Sequence, residues 1–239
     1  MLAEVAKQKG ISLCSILRDQ TTANFSNQNL KPPDAILLAS DLSHAVVTGV
    51  LTALDLSFND LKDEGVSAVC EAIKSNKETK LASLNVKKNG ICSIGAIAIA
   101  AMVAVTGGLT SLNLSYNQLC GLDDHGRGTH TAVGITAIAD ALRVNGGLTA
   151  LNLSSNRLLD EGVSAVCEAI QSNKETKLSS LNFKDNGIGP VGAKSVAAMV
   201  AVICTLTECN LRSNSSMGEE AQASIRNAVQ GKAWFKLRL

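Results

Sequence analysis

The chain has 239 residues, 46% of them hydrophobic, and 22 basic side chains stand against 21 acidic ones. Near-neutral charge argues against nucleic-acid and anionic-membrane partners, which need clustered Lys and Arg, and 3% aromatic content leaves any binding face short of its usual anchors. Seven cysteines without Cys-x-x-Cys spacing predict buried thiols in a reduced, cytoplasmic setting rather than a disulfide framework, and the first ten residues hold no secretory signal run.

Residues 1–10 predict a short amphipathic helix, with Leu2, Val5 and Ala6 on one side and Gly10 at its end. From Thr21 a faint unit follows. Ala23 and Phe25 take strand positions, and Pro32, Pro33 and Asp34 open a helix, proline being tolerated and aspartate favourable in a first turn. Residues 1–50 are thus expected to form a helix and a degenerate capping repeat. The pattern becomes clear at 51–59, Leu-Thr-Ala-Leu-Asp-Leu-Ser-Phe-Asn, where Leu54 and Leu56, two apart, point into one core. It returns at 81–89, 109–117, 148–156, 178–186 and, with Cys209 in a leucine place, 206–214. The starts lie 28–30 residues apart except for one interval of 39.

Each run is followed by apolar residues three and four apart, such as Val66, Val69, Cys70 and Ile73, which share one helix face. A strand joined to the next by a helix returns parallel, with a right-handed crossover. Neither layer buries its apolar face alone, so the units must stack as a solenoid. Residues 63–73 recur unchanged at 160–170, which marks a duplicated block of three repeats. Lengthening of the array explains this more simply than two equivalent binding sites.

The leucine spacing, the asparagine after each strand, the glycine opening the helix and the period near 28 resemble leucine-rich-repeat proteins of the ribonuclease-inhibitor-like class, with NOD-like-receptor-type repeats. The resemblance covers 51–239. It implies an α/β, right-handed horseshoe with a parallel sheet on the concave face and helices on the convex face. Members include inhibitors, receptor sensor domains and GTPase regulators, so fold alone does not decide function. The expectation is a non-catalytic protein-interaction scaffold, the repeat region of a larger intracellular signalling or receptor protein, without cofactor or metal. A GTPase regulator of the Ran-activating type is the alternative, but the acidic tail and motif that would carry it are missing here.

The repeated asparagines, Asn59, Asn89, Asn117, Asn156, Asn186 and Asn214, predict a structural ladder serving backbone groups of the turns. The outward residues predict the binding face. Phe58, Lys87, Lys88 and Tyr116 form one expected patch, and Lys184, Asp185, Glu208 and Arg212 a second. The weighed alternative is that these are solvated positions, since scattered charges and single aromatics are normal on surfaces.

One repeat carries an insertion at 120–133, including Asp123, Asp124, His125, Arg127 and His130. Ligand-type residues in close order suggest a metal site, yet a spacing without fixed helical geometry fits a solvated loop better. The segment is also similar to the histidine motif of subtilisin-like proteases, but Arg127 stands where that family keeps its catalytic histidine, and a guanidinium cannot act as general base. A terminal strand is expected at 234–239, with Trp234, Leu237 and Leu239 in the leucine frame. Its open edge would be continued by a longer array or by self-association with another chain.

Overall fold

The computed structural model describes residues 12–17, 19–43, 49–123 and 125–239; the helix expected at 1–10 and the loop residue Asp124 lie outside them. Strand and helix alternate along the chain as β1 (Thr22–Asn24), α1 (Pro32–Leu42), β2 (Ala53–Asp55), α2 (Lys62–Ser75), β3 (Ser83–Asn85), α3 (Ser93–Val103), β4 (Ser111–Asn113) and α4 (Val133–Val144). They continue as β5 (Ala150–Asn152), α5 (Leu159–Ser172), β6 (Ser180–Asn182), α6 (Pro190–Val202), β7 (Glu208–Asn210), α7 (Gly218–Ala228) and β8 (Lys236–Arg238). The eight strands form one parallel sheet in chain order, the solenoid that the repeat period requires.

The register is in step at every pair. Ala23, Leu54, Leu84, Leu112, Leu151, Leu181, Cys209 and Leu237 stand side by side as the central strand residue. The first seven are buried, while their strand neighbours Ala53 and Asp55 and the equivalents from Ser83 to Asn210 are half-exposed. Two residues beyond each central leucine the chain turns inward again, at Leu56, Val86, Leu114, Leu153, Phe183 and Leu211. The core is closed on the other side by helix residues such as Val66, Val69, Val163 and Val166.

Three side-chain ladders join repeat to repeat. Hydroxyls at the strand entries, from Thr52, Thr110, Thr149, Ser179 and Thr207, each donate over 3.0 Å to a carbonyl of the preceding repeat. The expected asparagine ladder holds the strand exits: Asn186 donates to the Leu153, Phe183 and Lys184 carbonyls while its Oδ1 accepts from the Asn156 and Leu158 amides. A further ladder closes the helix C-termini. Asn76, Asn145 and Asn173 are buried there and donate to carbonyls of the neighbouring helix end, Leu42, Val103 and Leu142 respectively. This pairing meets the orphan carbonyls that every helix leaves at its C-terminus.

Helix starts are also served from the preceding repeat. Asp63 of α2 accepts the Cys92 amide at the start of α3 over 2.7 Å, and its duplicate Asp160 of α5 accepts the Gly189 amide at the start of α6 over 2.6 Å. A carboxylate there satisfies an orphan amide and faces the positive end of the helix dipole. The repeated glycine does not open the helix, as the sequence suggests. Gly65 lies within α2, and a Cβ on it would stand 2.9 Å from the Ala35 Cβ, so glycine is there because successive helices approach closely.

The terminal strand is shorter than the expected 234–239, at Lys236–Arg238, and Trp234 is 52% exposed. Its equivalent Leu206 is fully buried between neighbouring repeats, whereas β8 has a strand on one side alone.

Candidate partner-binding surface

The strands β2 to β7 leave the sheet through the same turn. The side-chain oxygen of Asp55, Asn85, Asn113, Asn152, Asn182 and Asn210 accepts the amide two residues on, at 2.8–3.2 Å. The next residue but two, at Phe58, Lys88, Tyr116, Ser155, Asp185 and Ser213, adopts a left-handed conformation, with φ between 51° and 61°. Non-glycine residues seldom do so. The turn therefore thrusts these six side chains out along the edge of the concave face. The row just before them behaves differently from the outward row expected, since Ser57, Ser115 and Ser154 are buried. Their short hydroxyls fold under the turn; the longer side chains of Lys87 and Lys184 and the exposed Arg212 reach solvent in the same row.

Phe58, Lys87, Lys88 and Tyr116 come together. The Lys87 ammonium lies 4.6 Å from the Phe58 ring centroid and 4.8 Å from that of Tyr116, and Lys88 reaches 5.9 Å from Phe58. Adjacent turns after β2, β3 and β4 create this arrangement, a cation held between two ring faces. Both rings stay open to solvent, Phe58 at 44% and Tyr116 at 45%.

The second expected patch is divided. Lys184 is half-buried and Arg212 exposed, while Asp185 accepts the Ser155 hydroxyl over 2.9 Å. Glu208 belongs instead to the sheet end, where its carboxylate pairs with Arg238 at 2.9 Å and Lys236 at 3.5 Å.

The insertion folds on itself around Asp123. Its carboxylate accepts the His125 and Arg127 amides at 2.9 and 2.8 Å and the Arg127 Nε at 2.9 Å. Those donors, the Arg127 amide foremost, hold the Asp123 carboxyl below the usual carboxylate range. Leu122 and Gly128 bridge across the loop, and Thr131 donates its amide to Cys120. His125 is exposed and His130 half-buried, with a buried Nε2 that has no hydrogen-bond partner. Among the described residues no three His, Cys, Asp or Glu side chains gather in a metal-ligand cluster. Beneath the loop runs a trough of about 320 Å³ lined by Tyr116, Leu122, Asp123, Ser155, Arg157 and Asp185 among others. Arg157 in its wall carries no sequence signal, because only the stacking of turns brings it to this place.

The profile described as Leucine Rich repeat matches residues 50–70, 148–167 and 174–197, and a second Leucine Rich Repeat profile matches 108–126. NACHT, LRR and PYD domains-containing protein 12 of Mus musculus is 42% identical over 72 residues, which are 29% of this chain and 6% of that protein. The chain therefore spans a small part of that relative. Two solved structures share the fold. The repeat protein LegL7 from Legionella pneumophila superposes with a TM-score of 0.56 at 21% identity, over 90% of this chain and 64% of that one. The actin-binding site 2 of leiomodin-1 superposes with a TM-score of 0.52 at 20% identity, over 72% and 86%.

Proposed function

We propose that this chain, with the leucine-rich-repeat fold and repeats similar to the ribonuclease-inhibitor-like type, serves as a non-catalytic framework binding a protein partner on its concave face and strand-exit turns. The observation that carries this reading is the Lys87 ammonium set between the half-exposed rings of Phe58 and Tyr116. Aromatic residues are scarce in this chain, and interface energy concentrates in aromatic and cationic anchors held rigidly. Turn geometry fixes the backbone under all three. The leiomodin-1 structure is that of an actin-binding site; at 20% identity it lends the fold and not the partner.

The likeness to a protein named for NACHT, LRR and PYD domains supports the reading of this chain as the repeat region of a larger signalling or receptor protein. Burial pushes the thiols of Cys70, Cys120 and Cys209 up to about 12, so they rest as protonated core residues, which accords with the intracellular setting proposed. Among the described residues no helix is long and apolar enough to cross a membrane.

The test is a pull-down from native lysate, read by mass spectrometry, with the wild type and with a Lys87→Glu, Lys184→Glu, Arg212→Glu variant of unchanged melting temperature. A partner kept by the first and lost by the second is the expected result. Equal recovery would move the interface to the insertion or the β8 edge.

A further inference from the structure

We infer that the partner presents an extended acidic segment, with carboxylates at positions i, i+4 and i+6, that crosses the strand exits over Lys87, Lys184 and Arg212. This rests on the interface proposed above and specifies its ligand. The three cations occupy one row, in the turns after β3, β6 and β7, and the places between Lys87 and Lys184 are filled by the buried serines Ser115 and Ser154. The row is thus a neutral floor with positive posts, open to a chain laid across it.

Spacing decides the pattern. Neighbouring strands lie about 4.8 Å apart, so three intervals set Lys87 about 14 Å from Lys184, and a fourth sets Arg212 about 19 Å away. An extended peptide advances about 3.3 Å per residue and turns alternate side chains to one face. Residues i and i+4 then present side chains on the same face about 13 Å apart, and i+6 lies about 20 Å along. Both distances match the row.

Charge supports an acidic occupant. Asp60 pairs with Lys31 and Lys62, Glu71 with Lys74, Asp123 with Arg127, Asp140 with Arg143, and Glu208 with Lys236 and Arg238. No such ion pair engages Lys87, Lys88, Lys184 or Arg212 among the described residues. The carboxylate nearest in sequence, Asp185, stands in the outer row and takes the Ser155 hydroxyl. A nucleic acid fits less well, because its affinity needs many phosphate contacts at once and the row offers few cations.

The test is fluorescence anisotropy of the full chain with a labelled peptide of Ser and Gly carrying glutamate at i, i+4 and i+6. Comparison probes are the same composition with adjacent glutamates, the lysine counterpart, and a single-stranded oligothymidine. The spaced acidic peptide is expected to bind most tightly and to weaken with salt. Lys87→Ala, Lys184→Ala and Arg212→Ala should each weaken it about two- to fivefold, the worth of an exposed ion pair, without changing the melting temperature. Equal or tighter binding of the lysine peptide, the adjacent-glutamate peptide or the oligonucleotide would overturn the inference. So would no binding of the spaced peptide. If the charge-reversed chain nonetheless loses a lysate partner, the acidic-segment inference alone falls and the interface stands; if it loses none, both fall.

Discussion

Asn156 is the rung of the strand-exit ladder whose side-chain oxygen goes unserved. Asn117, Asn186 and Asn214 each donate to three carbonyls and accept two amides of the preceding turn. Asn156 donates to the Leu114, Leu153 and Ser154 carbonyls, but its buried Oδ1 has no partner, because the repeat before it carries the insertion. Truncation strands whatever backbone groups the amide had served, at about 1–3 kcal/mol for each group left buried. Asn186→Ala is therefore expected to lower unfolding free energy more than Asn156→Ala, as urea denaturation would measure. Asp123 offers a pH-dependent counterpart. Its carboxyl titrates below the usual range when the loop is closed, so closure is favoured above that range and the contribution fades as pH falls through the lowered value. The protection factors of the His125 and Arg127 amides, exchange rates corrected for the intrinsic pH dependence, should fall in acid ahead of those in the strands.

At the level of elements, helix spacing depends on single atoms. A Cβ on Gly134 would collide with the Leu119 carbonyl oxygen and stand 2.9 Å from the Ser93 Cα, whereas one on Gly107 meets nothing within 4 Å. Gly134→Ala should destabilise the chain by about 1–3 kcal/mol through overpacking, while Gly107→Ala should change the melting temperature little. The pattern of apolar residues at three and four announced these helices, and the leucine pair announced the strands. What that periodicity could not give was the reason for the glycine. A helix-opening role and a close-packing role look alike in one dimension, and the neighbouring helix that distinguishes them is about thirty residues away in the chain. Asp63 and Asp160 were hidden for the same reason: each reads as an acidic first-turn residue of its own helix but caps the next.

For the whole molecule, stability follows from nearest-neighbour stacking, since each repeat touches the one before and the one after. The insertion leaves this plan intact. Deleting residues 121–131 restores the usual six-residue step from Asn117 to glycine, and a shorter loop costs little closure entropy. The deleted chain should fold and keep a cooperative melt by circular dichroism; loss of the fold would show that the insertion is part of the core. By itself the sequence determined the solenoid and the asparagine ladder, because both follow from local periodicity repeated in register. Only the tertiary structure decided which side chains meet. It set Lys87 between Phe58 and Tyr116, tied Glu208 to Arg238 and Lys236, and buried Ser57, Ser115 and Ser154 in a row that alternation had placed outside. The reason is the left-handed turn after these strands, which covers a short hydroxyl in the row before it, lets longer side chains of that row reach past it, and turns the next side chain outward.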